Sequence, residues 1–537
     1  MQSTDMKSNP LNIFLKTHEK IAGFMGNLVY SLESPRNTLF NVFFTFFACM
    51  IIRNFLESFS QHTNVLLNYI SQELMGNLAH FDVSFAAIAM MLVILLHYLT
   101  KTPVVNVIKV IFPSFIIILL APIIDLIASG GEGINLAYLS PEENISLLSG
   151  YFTFFGKFIG ATPGIKIEVI LTMISVYFYT YIKTRNIFTS LISGWLAYTA
   201  IYIWGASPFI IKPILELFGI DYFFSGLTFL RYFLILDFFL AIWILYLSNK
   251  KTFIAFVSEI PKTRVLHYEA MFLFGICLAV SISQSPPAYY FMMNPELVGN
   301  GILLMIAIFF ALLSAMITNN LVDTEIDKIS SPNRMLVSGK IQPDLYKKLA
   351  WIFAGCSLIY AAMTGMHGIF LMLFIIATYF LYSSWPLRLK RITVFSKLVI
   401  SANSLALMLL GFWFITGNIS DFPKSLYAIL LCVFTLAANF IDLKDIHGDK
   451  AAGIKTLPVV LGMKHAQWFC AIAFLAAYTS FYFVFDIKGI LLGIFIIAGF
   501  LQTWFLTRKD YNEFPVFLIY LVCIFLLMGH LITSISS

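Results

Sequence analysis

The sequence predicts an all-α, polytopic membrane protein: a C-terminal bundle of nine helices preceded by a second membrane domain of about six spans plus re-entrant segments. Three observations predict it. Of 537 residues, 59% are hydrophobic and 12% charged, against roughly 25% charged in an average soluble domain. Apolar stretches of about 20 residues, long enough to cross a bilayer, recur from Leu39 to Ile535 with short polar breaks. Lys and Arg collect in alternate breaks, as expected of loops on the cytoplasmic side. One soluble core is excluded. The net charge of +6 is spread over loops that hold topology, so no nucleic-acid partner is expected. The six cysteines stand inside apolar runs without a CxxC pair, so zinc, haem and disulfide readings lack support.

In chain order, Met1 to Pro35 is polar, carries Lys7, Lys16 and Lys20, and lacks the apolar core of a secretory signal; it is expected to be a cytoplasmic tail. Spans follow near 38–57, 83–100, 103–128, 166–183, 186–205 and 226–249. The runs 145–160 and 208–219 are apolar but short and flanked by Gly and Pro, so they are expected to be interfacial or re-entrant. Counting 145–160 as a full span would carry Lys183 and Arg185 to the outer face. The basic stretch 251–265 is expected to connect a domain over 1–250 to one over 266–537.

The second domain has nine expected spans, near 266–283, 301–320, 347–364, 368–386, 397–416, 425–441, 466–485, 488–506 and 515–535. Its basic loops carry Lys328, Arg334 and Lys340, then Arg388, Lys390, Arg391 and Lys397, then Lys444, Lys450 and Lys455, then Arg508 and Lys509. These are expected inside, together with the N-terminus. The loop Gln284 to Asn300 and the C-terminus are expected outside.

Ionisable groups at membrane helix ends are expensive and rarely idle, and carboxylates crowd two such ends. In the first, Asn319, Asp323 and Asp327 fall at i, i+4 and i+8 and share a helix face. In the second, Asp445 and Asp449 repeat that spacing and Asp442 adds an i−3 neighbour. Both ends lie on the expected cytoplasmic side. Two like charges about 4 Å apart cost on the order of 4 kcal/mol at an effective dielectric of 20, which divalent cations relieve. Hard carboxylate oxygens suit Mg²⁺, which binds through a few carboxylates plus substrate phosphates. Arg334, Lys390, Arg391 and Lys444 stand near enough in sequence to hold remaining phosphate oxygens. Lys390 and Arg391 also satisfy the positive-inside rule alone, and His447 reads as a solvated loop residue.

This constellation resembles the UbiA superfamily of intramembrane prenyltransferases. Asn319 to Lys340 (NNLVDTEIDKISSPNRMLVSGK) is similar to that family's first Asp-rich motif, NDxxDxxxD with a following Asn-Arg-Pro segment. Asp442 to Gly462 (DLKDIHGDKAAGIKTLPVVLG) is similar to its second, DxxxD, and Tyr382 to Arg391 (YSSWPLRLKR) to the basic segment between them. The resemblance covers roughly 260–537. It implies a lipid-accessible cavity in which Mg²⁺ bridges the aspartates to an isoprenyl diphosphate, with Asp323, Asp327, Asp445 and Asp449 catalytic. Those four and Asp442 are the implied metal ligands, and Asn319, Arg334, Lys390, Arg391 and Lys444 the implied diphosphate-binding residues. Departure of the diphosphate leaves an allylic cation for a lipophilic or aromatic acceptor. Two departures from the motif stand out: Asn320 where the family usually has Asp, and Met335 where Pro commonly follows Asn-Arg.

The N-terminal domain resembles no family in this reading. Arg53 and Glu57 stand at i, i+4, and His97, Asp125, Glu168, Arg231 and Asp237 lie in or beside apolar runs; interhelical ion pairs and a ligand site are both open readings. For the whole chain, an Mg²⁺-dependent prenyltransferase in a bacterial or archaeal cytoplasmic membrane leads. An intramembrane terpene cyclase, and a transporter or lipid-binding scaffold with a vestigial prenyltransferase domain, are the alternatives.

Overall fold

The computed structural model describes residues 10–60, 72–134, 146–156, 161–217, 226–283, 294–451 and 453–533. The chain divides into two compact units, Met1–Lys250 and Lys251–Ser537. Fourteen helices among the described residues are long and apolar enough to cross a membrane, as the polytopic all-α reading requires.

In the first unit the helices are α1 (Pro10–Glu33), α2 (Leu39–Ser60), α3 (Gln72–Thr100), α4 (Val104–Ser114), α5 (Leu120–Ala128), α6 (Leu147–Thr153), α7 (Pro163–Thr184), α8 (Ile187–Gly205), α9 (Ser207–Leu217) and α10 (Gly226–Ser248). Helix α1 lies where the sequence suggested only a polar tail. Its lysines and glutamates break the apolar run that a span search needs, yet Ala22 and Val29 are buried. Three polar ties hold it to α7: His18 to the Tyr177 hydroxyl (2.9 Å), Tyr181 donating to Glu19 (2.7 Å) and Lys183 to Glu33 (2.6 Å).

The span expected near 103–128 is broken in the middle, because Pro113 supplies no N–H to the helix and a 3₁₀ segment, Phe115–Leu119, leads into α5. Asp125 of α5 accepts from the Thr162 hydroxyl (2.6 Å) and from the Gly164 N–H (2.7 Å), fastening the start of α7. Of the open readings for Asp125, the structural one therefore accounts for its contacts. Arg53 and Glu57 pair at 3.5 Å. Helices α6 and α9 have 7 and 11 residues, about 10 and 16 Å of rise, short of the roughly 30 Å hydrocarbon core. Part of the run 145–160 lies outside the described residues.

The second unit contains α11 (Lys250–Glu259, its first residue at the boundary), α12 (Lys262–Ser283), α13 (Pro295–Val322), α14 (Thr324–Ser330), α15 (Pro343–Ala362), α16 (Met366–Ser383), α17 (Thr393–Thr416), α18 (Lys424–Ala428), α19 (Thr435–Ala437), α20 (Ile446–Ala451), α21 (Leu457–Leu461), α22 (Met463–Phe485), α23 (Gly489–Leu506) and α24 (Glu513–Thr533). Eight of the nine expected spans are among the fourteen long apolar helices; the ninth is α15, 20 residues long, whose Lys347 and Lys348 lower its hydropathy. The expected outer loop Gln284 to Asn300 lies largely outside the described residues.

Helices α12 and α17 pack backbone to backbone. A Cβ at Gly275 would fall 2.0 Å from the Met408 carbonyl oxygen, and one at Gly411 2.0 Å from that of Phe272. Only glycine permits this approach, a device common between membrane helices. The span Lys424–Ala451 is not a uniform α-helix. A π-helical stretch, Ile429–Phe434, follows α18, and a 3₁₀ stretch, Ala438–Asp445, follows α19.

Candidate active site

One cavity of about 370 Å³ in the second unit collects both acidic clusters. Helix α13 ends at Val322 and α14 restarts at Thr324, so the chain jogs at Asp323 while Asn319, Asp323 and Asp327 still line the cavity. From the other side come Asp442, Asp445 and Asp449. The 3₁₀ stretch, at three residues per turn, eclipses Asp442 and Asp445, and α20 then brings round Asp449.

The carboxylates are not left to repel one another. Asp323 accepts from Arg388 (2.7 Å) and is ion-paired with Lys390, both nearly buried. Asp327 pairs with Arg334, and Asp442 with Lys397 at 2.6 Å. Asp449 accepts from the Thr456 hydroxyl (3.1 Å). Lys390 also reaches the Asn319 side-chain oxygen at 3.2 Å, and Lys444 pairs with Glu513 at 2.6 Å. Burial pushes the Asp327 carboxyl above its ordinary range against the pull of Arg334. Burial likewise pulls the Lys390 ammonium down, opposed by Asp323.

Of the residues singled out from sequence, Asn319, Asp323, Asp327, Arg334, Lys390, Asp442, Lys444, Asp445 and Asp449 line this cavity. Arg391 does not: it is exposed, with its guanidinium 5.0 Å over the Trp385 ring. Arg388, three residues earlier, instead secures Asp323. Sequence reasoning counts Arg264, Arg388 and Lys397 only as loop or connector charges, and it passes over Glu259 and Glu513; of these, Arg264, Lys397, Glu259 and Glu513 line the cavity. The one available signal was their position at the ends of apolar runs.

Both motif departures have a physical account. Asn320 donates to the Tyr346 hydroxyl (3.1 Å) while its oxygen accepts from Arg334 (2.9 Å), a two-way role an aspartate cannot fill. Tyr346 in turn donates to Glu259 (3.2 Å). The backbone N–H of Met335 donates to the same Glu259 carboxylate, a bond that proline cannot form.

The lining carries seven carboxylates (Asp323, Asp327, Asp442, Asp445, Asp449, Glu259, Glu513) against five cations (Arg264, Arg334, Lys390, Lys397, Lys444). Away from the charges, Tyr268, Tyr379, Tyr382, Leu312 and Met316 offer aromatic and apolar surface. Among the described residues no three His, Cys, Asp or Glu side chains group closely enough to hold a metal by themselves. The donors fit Mg²⁺ in type and charge, since that ion is usually held by one or two carboxylates with substrate phosphates and water.

Residues 271–522 match the UbiA prenyltransferase family. The C-terminal unit belongs to the UbiA family. Digeranylgeranylglyceryl phosphate synthase of Sulfurisphaera tokodaii is 26% identical over 240 residues, covering 44% of this chain and 78% of that protein. A probable homogentisate phytyltransferase of Oryza sativa is 31% identical over 163 residues, 28% of this chain and 40% of the relative. The solved UbiA homologue from Archaeoglobus fulgidus bound to DMAPP and Mg²⁺ is 18% identical with a TM-score of 0.40, covering 51% of this chain and 98% of that one. The match to the UbiA prenyltransferase family falls within the second unit, which follows a unit of 250 residues in the chain.

Proposed function

We propose that the UbiA-family unit transfers an isoprenyl group from an isoprenyl diphosphate to a lipophilic or aromatic acceptor within the membrane, in an Mg²⁺-dependent reaction. The observation that carries this reading is the convergence of five aspartates and five cations on one cavity whose remaining wall combines aromatic and apolar side chains with Asn, Ser and Thr. With seven carboxylates against five cations the lining is two charges negative, and a diphosphate adds more, so the substrate enters only with compensating cations. Asp323, Asp327, Asp445 and Asp449 would hold Mg²⁺, which supplies Lewis-acid stabilisation of the leaving diphosphate.

Arg334, Lys390 and Lys444 hold phosphate oxygens through charge-assisted hydrogen bonds. As the carbon–oxygen bond of the allylic diphosphate breaks, its electron pair leaves with the diphosphate, whose growing charge these cations stabilise. The apolar wall limits capture of the carbocation by water, and tyrosine ring faces stabilise it. The basic loops around Lys390 and Lys450 support an opening toward the cytoplasm.

The test is mass spectrometry of products after the purified full-length protein meets geranylgeranyl diphosphate, Mg²⁺ and a panel of glycerol phosphate lipids, homogentisate and chlorophyllide. The expected result is one acceptor gaining a prenyl group, with loss of the reaction in chelator. An intact diphosphate with every acceptor, or a cyclised hydrocarbon alone, overturns the proposal.

A further inference from the structure

The N-terminal unit has its own cavity, of about 410 Å³, between α1, α3, α4, α7 and α8. That volume lies in the range of about 300–1,000 Å³ typical of small-ligand sites. Its wall is almost wholly aliphatic and aromatic, with Phe85, Ile111, Phe115 and Val176 among the lining residues. The Tyr179 hydroxyl on this wall is buried without a partner among the described residues, but it stands 11 residues along α7 from Glu168, about 16 Å away; two further polar groups, close to each other in depth, are unexplained by the fold. The Glu168 carboxylate lines the cavity and makes no hydrogen bond or ion pair among the described residues, while Asp125, the other acid of the α5–α7 corner, is engaged by Thr162 and Gly164. The indole Nε1 of Trp204 is buried without an acceptor, although its ring packs on Phe85 at 5.3 Å.

These two groups stand at one level. Helices α7 and α8 are antiparallel neighbours joined at Arg185 and Asn186; Glu168 is 17 residues before Arg185, and Trp204 is 18 residues after Asn186. An apolar cavity with one acceptor and one donor at the same depth suits an amphipathic ligand. The charge around the site selects the head. The charges that act on Glu168 are the carboxylates of Glu57 and Asp125 and one guanidinium, Arg53, which is already paired with Glu57 at 3.5 Å, so phosphate, diphosphate and carboxylate heads are disfavoured. An ammonium has donors but no acceptor lone pair and leaves the Trp204 N–H unmet. A hydroxyl satisfies both, donating to Glu168 and accepting from Trp204.

We propose that the N-terminal unit binds a long-chain lipid with an uncharged hydroxyl head, the hydrocarbon lying in the cavity and the hydroxyl held between Glu168 and Trp204. This inference does not depend on the prenyl-transfer reading. The test uses the full-length protein in lipid nanodiscs, photolabelled with diazirine-bearing octadecanol. Label is expected on peptides from 104–128, 163–184 and 187–205. Unlabelled octadecanol and geranylgeraniol compete, and their relative strength tells an acyl-type chain from an isoprenoid one; stearate, octadecylamine and geranylgeranyl diphosphate do not compete. Glu168→Leu and Trp204→Phe each weaken competition by about tenfold, the scale of one hydrogen bond to a charged group. Glu168→Gln, which keeps an acceptor, stays within a few-fold. If Glu168→Leu is not recovered folded, Trp204→Phe decides, because it keeps the ring packing and removes only the donor. Competition by stearate or octadecylamine equal to that by octadecanol, or unchanged binding in Trp204→Phe, overturns the proposal and leaves non-specific lipid adherence.

Discussion

Asp442 lines the same cavity as Asp445 and Asp449, yet its physical position differs, and a stability experiment separates them. Its carboxylate lies 2.6 Å from the Lys397 ammonium, with side-chain exposures of 14% and 2%. Asp442→Ala strands a lysine that has almost no access to water. Breaking a buried pair by removing one partner costs about 3–5 kcal/mol, which for a domain of this size is a fall of about 6 °C or more in Tm. Asp445→Ala removes a carboxylate that forms no ion pair among the described residues, so Tm moves little. Lys397→Met combined with Asp442→Leu recovers most of the loss, because an apolar pair of similar volume replaces a buried ionic one at little net cost. The assay is thermal unfolding of the purified variants in one detergent, with Asp442→Leu alone and Lys397→Met alone completing a double-mutant cycle. A Tm for Asp442→Ala equal to that of Asp445→Ala, or additive single losses in the double variant, refutes the reasoning. The same geometry argues that Asp442 positions the second acidic cluster through Lys397 more than it contributes a free oxygen to a metal.

Four further outcomes are expected. Asp323→Ala, Asp327→Ala, Asp445→Ala and Asp449→Ala, like chelator, each lower prenyl transfer by about a hundredfold or more, the scale of a lost electrostatic contact to a leaving group; full turnover by any two variants removes the metal assignment. Met335→Pro, although it restores the residue common in the family, lowers stability by about 1–3 kcal/mol because Glu259 loses a backbone donor, checked by thermal unfolding beside Met335→Ala. Gly275→Ala and Gly411→Ala sharply reduce the yield of folded protein, since either methyl meets a backbone oxygen across the α12–α17 contact; normal size-exclusion profiles for both contradict that packing. Single cysteines near Lys340, Lys390 and Lys450 label from the cytoplasmic side and one near Gln284 from the opposite side, with same-side labelling discarding the expected orientation.

The spans were legible because lipid imposes a crude rule, long apolar runs, that one sequence reveals. The aspartates were legible because ionisable groups at such run ends are few. What sequence could not reveal was partnership across distance: Arg388 meets Asp323 over 65 residues and Lys397 meets Asp442 over 45, and each cation read equally well as a topology marker. Helix α1 was missed because its burial is one-sided and its charges interrupt any apolar window. Asp125 read equally well as an ion-pair partner and as part of a ligand site, because nothing in its neighbourhood announces that Thr162, 37 residues away, will fold back to use it.

The π-helical stretch Ile429–Phe434 bears on how chains of this kind tolerate changes in length. A π turn holds one residue more than an α turn, closing i→i+5 where the α-helix closes i→i+4. Deleting Cys432 lets the wide turn relax to an ordinary one while everything after it keeps its place, so Asp442, Asp445 and Asp449 go on facing the cavity. The same deletion at Ala438, beyond the π turn and in the 3₁₀ stretch, has no slack to absorb it and turns the following aspartates by about 120° about the helix axis, off the cavity wall. Insertions and deletions between related chains should therefore gather at 429–434 and be absent from 438–449.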